Sequence, residues 1–397
     1  MNLLRLLSIS LALTVLLACA NSGRAQPEET SASYPSAERI IAVGDVHGDF
    51  DQFKTLLTQL GLIDKKRNWS GGNTHLVQLG DLPDRGPDTR KVMDMLIDLQ
   101  EQAPKDGGAV TVLIGNHDAM MMIGDLRYVH PGEYAAFKDR NSRKRRAAYY
   151  QQTLDHIKTN LPEEEWPEFN REYKKNWEAR FPLGYVEHRI AWAPTGEYGK
   201  WTLSRPAVAK VGDSLFVHGG LSSAYADLPI SSINTKVRTA LAMGERISED
   251  SIVEDSEGPL WHRGWVRGLQ NQETASALQT VLDNYGVNRM VVGHTPVASV
   301  IIPRFGGKLL VTDVGLSAHY GSGAAVLEII EGKASMMLMN GDKLALPNSE
   351  EGVDAYFDAA QIISDQPEKI VRYRKLLKKE QEQAEAQAEA APAVSNP

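Results

Sequence analysis

Cysteine is almost missing from this chain: Cys19 is the single thiol in 397 residues. One cysteine excludes a disulfide within the chain. A surplus of positive charge is missing too. Lys and Arg number 43 against 51 Asp and Glu, a net charge of −8. That balance argues against a general nucleic-acid binder and leaves room for a locally positive site. There is no long hydrophobic run. The apolar stretch from Leu6 to Leu17 is too short to cross a membrane as a permanent helix. Nor is there a long internal repeat. What remains is ordinary globular material, 42% hydrophobic and 24% charged, enough for one large domain or two modest ones.

The short apolar stretch has a role of its own. Met1-Asn2-Leu3-Leu4-Arg5 gives a positive start, and Leu16-Leu17-Ala18-Cys19 closes the run. The pattern fits a secretory signal over residues 1–19, and its end resembles the lipobox of bacterial lipoproteins. Plain cleavage after Ala20 is the alternative, since Ala18-Cys19-Ala20 also fits small-x-small. Lipidation of Cys19 implies a membrane anchor. Ala20 and Asn21 then point to the outer membrane, facing the periplasm. Residues 20–37, rich in Ser, Gly, Pro and Glu without periodicity, read as a flexible linker.

Five short stretches carry the chemistry: Gly44-Asp45-Val46-His47-Gly48, Gly80-Asp81-Leu82-Pro83-Asp84-Arg85-Gly86, Gly115-Asn116-His117-Asp118, His218-Gly219-Gly220-Leu221 and Gly293-His294-Thr295. Each sets His, Asp or Asn beside glycine. Each follows a short apolar run that reads as a buried strand, such as Ile40-Ile41-Ala42-Val43 or Met290-Val291-Val292. Polar groups repeated at the carboxyl ends of strands build a site along a sheet edge. Phe50, Phe53, Leu56, Leu57 and Leu60, then Val92, Met95, Leu96 and Leu99, fall at helical spacing. Strand and helix alternate, which predicts an α/β layered core over 38–345.

The alternation stops after Ala119. From there to Lys200 the chain is charged and aromatic, punctuated by Pro162, Pro167 and Pro182. Segments 133–160 and 163–180 read as mostly helical, and 119–200 as an inserted cap. Trp166, Trp177, Trp192 and Trp201 suit a small core for it, and Arg140 to Arg146 suit a solvated helix face. Strands are expected at Ala207–Val211, Ser214–Val217, Ser299–Pro303, Lys308–Asp313, Ala324–Ile330 and Ser335–Asn340. Helices are expected at Ser231–Met243 and Thr274–Tyr285. Residues 375–397 alternate Gln, Glu and Ala and read as a fraying, then disordered, tail.

Carboxylate, imidazole and amide oxygen are donors for hard divalent or trivalent ions. Asp45 and His47 stand two apart and can face one ion. Asp81 can bridge two ions, and Asn116, His218 and His294 can complete the second shell. Two ions about 3.5–4 Å apart hold a water, lower its pKa and clamp both ends of a phosphoryl displacement.

Together the motifs resemble the calcineurin-like metallophosphoesterases, and most closely their phosphoprotein phosphatase branch. Gly-Asn-His-Asp, the long insert and Leu260-Trp261-His262-Arg263-Gly264 look like the Shewanella-like bacterial phosphatases. The resemblance runs from about Ile40 to Ile330. It implies a four-layer β-sandwich flanked by helices, with a largely helical inserted cap. It also implies two metal ions (Mn, Fe or Zn): one held by Asp45, His47 and Asp81, the other by Asp81, Asn116, His218 and His294. His117 would protonate the leaving oxygen and Asp84 would orient it. Arg85 and Arg263 would clamp the phosphate oxygens, with Asn116 and His117 also touching substrate.

Pro296 stands where many relatives place a second His, Gly-His-x-His, a loss shared with the phosphoprotein phosphatase branch. Asp118 replaces the commoner Glu. His75, His130, His156, His188 and His319 lack a motif and read as structural. His262 is weighed between lining the site and packing. Asp313-Val314-Gly315 near Tyr320 is weighed evenly between a loop closing over the site and a plain turn. The expected function is phosphomonoester hydrolysis by direct attack of metal-bound hydroxide, without a phospho-enzyme. Its substrate would be a phosphorylated protein or peptide, with phosphotyrosine included, or a small phosphomonoester. No nucleic-acid partner is expected. The alternatives are a phosphodiesterase or dinucleoside polyphosphate hydrolase on the same fold, and a non-catalytic metal-binding scaffold.

Overall fold

The computed structural model describes residues 32–390 apart from Glu249. The leader with Cys19 lies outside the described residues, as do the tether before Ala32 and the tail after Ala390. The first half runs β1 (Ser33–Tyr34), β2 (Arg39–Val43), α1 (Phe50–Gln59), β3 (Thr74–Gln78), α2 (Thr89–Gln102) and β4 (Ala109–Val112). An all-helical stretch follows: α3 (Asn116–Ile123), α4 (Pro131–Ala136), α5 (Ser142–Asn160), α6 (Arg171–Arg180), α7 (Tyr185–Trp192) and α8 (Glu197–Ser204). Strands resume with β5 (Val208–Val211) and β6 (Ser214–Val217). Then come α9 (Ile230–Leu241), α10 (Gly264–Arg267), α11 (Gln272–Tyr285), β7 (Arg289–Val292), β8 (Ile302–Arg304) and β9 (Leu309–Val311). The chain ends with β10 (Ala325–Ile330), β11 (Lys333–Leu338), β12 (Lys343–Ala345), α12 (Val353–Ile363) and α13 (Pro367–Ala390).

The strands form two mixed six-stranded sheets, ordered β12-β11-β10-β2-β3-β4 and β1-β5-β6-β7-β9-β8. The period-2 alternation of β2 divides the core. Ile40 and Ala42, with Val77 and Leu79, share a buried cluster with Val208, Phe216, Val291 and Leu310 of the other sheet. Ile41 and Val43, with Leu76, face the opposite way onto Phe53 and Leu57 of α1 and Val92 and Leu96 of α2. A one-residue slip in β2 would exchange these two sets of neighbours. Helix α1 starts where the Asp49 carboxylate accepts the Gln52 amide, and its Phe50, Phe53, Leu56 and Leu57 are the buried face. Helix α11 begins with the Asn271–Thr274 capping box and stops at Gly286 in the left-handed region.

Each sheet contains a parallel triplet: β2, β3 and β4 in one, β6, β7 and β9 in the other. Strands of a triplet run the same way, so their carboxyl ends open on one edge. That edge holds the polar motifs.

Three boundaries differ from the sequence reading. The linker expected over 20–37 contains β1, which pairs in parallel with β5 (Ser33 beside Lys210). The core does not end at 345: Tyr356, Phe357 and Ala360 of α12 and Ile370, Tyr373 and Leu377 of α13 are buried in it. The tail expected from 375 is helix through Ala390, because Leu377 still finds core and Arg304 pairs with Glu380. The insert is mostly helical over 133–160, as the sequence suggests, with a break between α4 and α5. Its aromatics make a core of their own, with Trp177 packed on Tyr149, Tyr150 and Phe181 at centroid distances of 5.0–5.5 Å for the tyrosines and 4.8 Å for Phe181. Of the basic run, Arg145 pairs with Asp139 and Glu187 and Arg146 with Glu178.

Candidate active site

Asp45, Asp81 and Asn116 leave β2, β3 and β4; His218 and His294 leave β6 and β7. Hydrogen bonds knit the motifs together, within one edge and across the two. The His294 amide donates to Asp45 Oδ1 (3.0 Å), the His117 amide to Asp81 Oδ1 (2.8 Å), and His218 Nδ1 to the Leu79 carbonyl (2.7 Å). Glycine permits the closest approach, because a Cβ on Gly115 would stand 2.3 Å from the Asp81 nitrogen. His47, Asp81, Asp84, Arg85 and His294 all have positive φ, between 48° and 67°. Non-glycine residues hold that conformation only where surrounding contacts over-determine it.

Two donor groups converge here. His47, Asp81 and His117 form one, and Asp81, His218 and His294 the other, each with ligand atoms within 4.8 Å of one another. Asp81 belongs to both. Asp45 adjoins the first group, its Oδ2 being 3.8 Å from His47 Nε2, and Asp81 Oδ2 is also 3.8 Å from that nitrogen. Asn116 adjoins the second, with Oδ1 2.9 Å from His218 Nε2. All are buried.

The orientation of the imidazoles suits metal ligation. His47 Nδ1 donates to the Pro83 carbonyl (3.1 Å) and His218 Nδ1 to that of Leu79. Each bond leaves Nε2 facing the carboxylates, as in imidazoles oriented to bind a metal. A neutral His218 Nε2 beside the Asn116 oxygen would set two acceptors together, so a positive charge belongs between them. Burial lowers the His47 and His218 pKa values, but Asp84 and Asp81 outweigh it, and both rise to about 9. Burial pushes the Asp81 carboxyl up, and the neighbouring His218 and His117 hold it well below the usual range. Burial, reinforced by Asp313, raises Asp45 well above it. Buried carboxylate, imidazole and amide oxygen donors converging on one point are the chemistry that holds a hard cation. The donors fit two hard ions.

Around these groups stand the others. His117 Nδ1 donates to Asp84 Oδ2 (2.5 Å), and its Nε2 lies 3.8 Å from Asp81 Oδ2. Arg85 lies beside His117, its guanidinium 3.9 Å above the Tyr128 ring. Arg263 lies on the His294 side and donates to the His294 carbonyl and Thr295 Oγ1, both at 2.9 Å. A cavity of about 480 Å³ adjoins Asn116 and Arg263, lined also by Met120, Ile123 and Trp261. The structure thus brings together every residue the motifs nominated. His262 packs on Trp265 (5.4 Å) and belongs to no donor group.

Asp313 and Tyr320, weighed evenly between site and turn, stand at the site, and two residues given no role by the motifs, Asp118 and Glu133, support it. Asp313 is buried after β9, close enough to raise the pKa of Asp45, and the Tyr320 ring sits 5.3 Å from His47. An apolar strand ending in Asp was the available signal, but no glycine precedes it. Asp118 Oδ2 accepts the amides of Asp81 and Gly115 (both 2.9 Å), and its Oδ1 pairs with buried Arg205 (2.9 Å). Glu133 accepts the Asp84 amide (2.6 Å).

Comparison with known proteins agrees with this geometry. The calcineurin-like phosphoesterase family model matches residues 38–298. Shewanella-like protein phosphatase 2 of Arabidopsis thaliana is 32% identical over 314 residues, 77% of this chain and 78% of that protein. Shewanella-like protein phosphatase 1 of Plasmodium berghei is 29% identical over 71% of this chain and 69% of its own. Among solved structures, the cold-active protein-tyrosine phosphatase of a psychrophilic Shewanella species superposes with a TM-score of 0.61. It is 25% identical and covers 79% of this chain and 82% of its own. The chain therefore belongs to the calcineurin-like phosphoesterases, metal-dependent hydrolases of phosphoester bonds, and resembles the Shewanella-like protein phosphatases among them.

Proposed function

We propose that this chain removes phosphate from phosphorylated proteins or peptides, phosphotyrosine included, using two ions that share Asp81. The carrying observation is that one buried carboxylate belongs to both donor groups. Asp45, His47 and Asp81 would hold one ion, and Asp81, Asn116, His218 and His294 the other. The donors suit Mn, Fe or Zn. Bound there, metal ions would supply an acidified water as nucleophile and take up charge from the phosphoryl oxygens. His117, oriented by Asp84, delivers a proton to the leaving oxygen. Arg85, stacked on Tyr128, and Arg263, held at His294 and Thr295, carry planar guanidinium groups that can hold phosphate oxygens.

Two observations support the phosphotyrosine part: the likeness to the Shewanella protein-tyrosine phosphatase, and the cavity beside Asn116, whose Met120, Ile123 and Trp261 walls suit an aromatic leaving group. The leader supports export, with Cys19 lipidated and the enzyme tethered in the periplasm. Acyl labelling of wild type and Cys19→Ser checks that part.

The test is hydrolysis by the metal-loaded protein of phosphotyrosine and phosphoserine peptides, an aryl phosphate diester and a dinucleoside polyphosphate. Preference for a phosphopeptide is expected. Preference for the diester or anhydride would sink the substrate reading and keep the metal site.

A further inference from the structure

The Asp84–Arg85 loop finds the acceptors for both of its amides outside itself. Both residues are left-handed, with φ of 62° and 60°, and such backbone persists only where neighbours fix it. The neighbours come from the helical insert. The Arg85 amide donates to the Tyr128 carbonyl (3.2 Å). The Asp84 amide donates to Glu133 Oε1 (2.6 Å), an oxygen that also accepts Thr89 Oγ1 (2.6 Å). Glu133 is 1% exposed. Its Oε2 lies 3.6 Å from His188 Nε2, and neither atom has another partner among the described residues.

We propose that Glu133, on α4 of the insert, is a positioning residue for the His117–Asp84 pair. It holds the Asp84 amide, and through it the carboxylate that fixes the His117 ring. This rests on the reading of His117 as the proton donor to the leaving oxygen.

The site explains why a carboxyl stands here. Burial pushes Glu133 up to about 8, so near neutral pH its carboxyl is protonated. With the proton on Oε2, Oε1 remains the acceptor for both Asp84 and Thr89, and Oε2–H faces the neutral His188. Glutamine reproduces that pattern of one acceptor and one donor arm. Aspartate falls a methylene short of Asp84, and alanine removes the acceptor.

Proton delivery gives a readout that general damage does not. A good aryl leaving group departs without a proton, whereas an alkoxide needs one. Turnover of the full chain is measured on 4-nitrophenyl phosphate and on a phosphoserine peptide, for wild type, Glu133→Ala, Glu133→Asp, Glu133→Gln and His117→Asn. Glu133→Ala and Glu133→Asp are expected to lose about tenfold more kcat on the phosphoserine peptide than on the aryl ester, with KM little changed. Glu133→Gln restores the wild-type ratio, and His117→Asn shows the same skew more strongly. If the alanine variant does not fold, the aspartate variant carries the comparison. Equal losses on both substrates in the Glu133 variants, beside a skewed His117→Asn, would overturn the role of Glu133 alone. An unskewed His117→Asn would overturn the reading of His117 and this inference with it.

Discussion

Asp45, Asp81, Asn116, His218 and His294 reach the site directly from the carboxyl ends of parallel strands. Glu133, Tyr128 and Arg205, from the helical insert and its exit, reach it by holding other residues. Glu133 grips the Asp84 amide, Tyr128 the Arg85 amide, and Arg205 the Asp118 carboxylate that in turn accepts the Asp81 amide. The sheets supply the groups that do chemistry, and the insert fixes the backbone that carries them. A cap that only covered the cleft would not need buried polar contacts to the loops beneath it.

The largest effect expected lies on the sheet side. Asp81→Asn should lower turnover by about 10³-fold or more, since several kcal/mol of charge stabilisation depends on ions it shares. Circular dichroism should show the fold retained. Near-normal turnover would remove Asp81 from the centre of the account.

Next comes the junction of sheets and insert. Asp118→Ala leaves the Arg205 guanidinium, 2% exposed, buried without its partner. Chemical denaturation should show a loss of about 3 kcal/mol, with weaker metal retention because the Asp81 amide is freed. Unchanged stability and metal content would break the link between insert and ligand.

A smaller effect separates the sheets from the site by pH. His75 in β3 is buried against Thr111 (2.9 Å), and burial lowers its pKa to about 4. The folded state keeps this ring neutral. The unfolded chain, with a pKa near 6.5, takes up the proton first as pH falls. The contribution is therefore complete above about 6.5 and is lost on the way down to about 4. The loss amounts to about 3 kcal/mol, reached in full only below about pH 4 and smaller within the window. Denaturation across this window should show a shallower slope for His75→Gln; an unchanged slope would assign the acid sensitivity elsewhere.

The smallest effect belongs to the outer face of the insert. Arg145→Ala removes a guanidinium paired with Asp139 and Glu187 and should leave turnover and melting temperature unchanged. A fall in turnover on phosphopeptides alone would turn that face into a substrate surface.

The same contrast explains what the sequence revealed. Strand-end ligands are legible because a short apolar run, a glycine and a polar donor lie within a few residues. Asp45 and His294, 249 residues apart, could be joined on that pattern. Glu133 stands 49 residues from Asp84, and Asp118 stands 87 from Arg205. Each acts through a backbone amide or a remote partner, so no local spacing announces it. Asp313 shows the pattern without its preceding glycine, which leaves its sequence balanced between a site loop and a plain turn. The β1 edge strand was hidden in a polar segment, and α13 in Gln, Glu and Ala, because tertiary pairing decided both.

Metal stoichiometry tests the central claim most directly. Metal-free protein would be titrated with manganese while bound metal and phosphate release from a phosphotyrosine peptide are followed together, for wild type and Asp81→Asn. The account predicts that wild-type activity saturates at two ions per chain and that Asp81→Asn loses activity together with tight binding of the pair. Full activity in the metal-free protein, or two tightly held ions and normal turnover in Asp81→Asn, would contradict it.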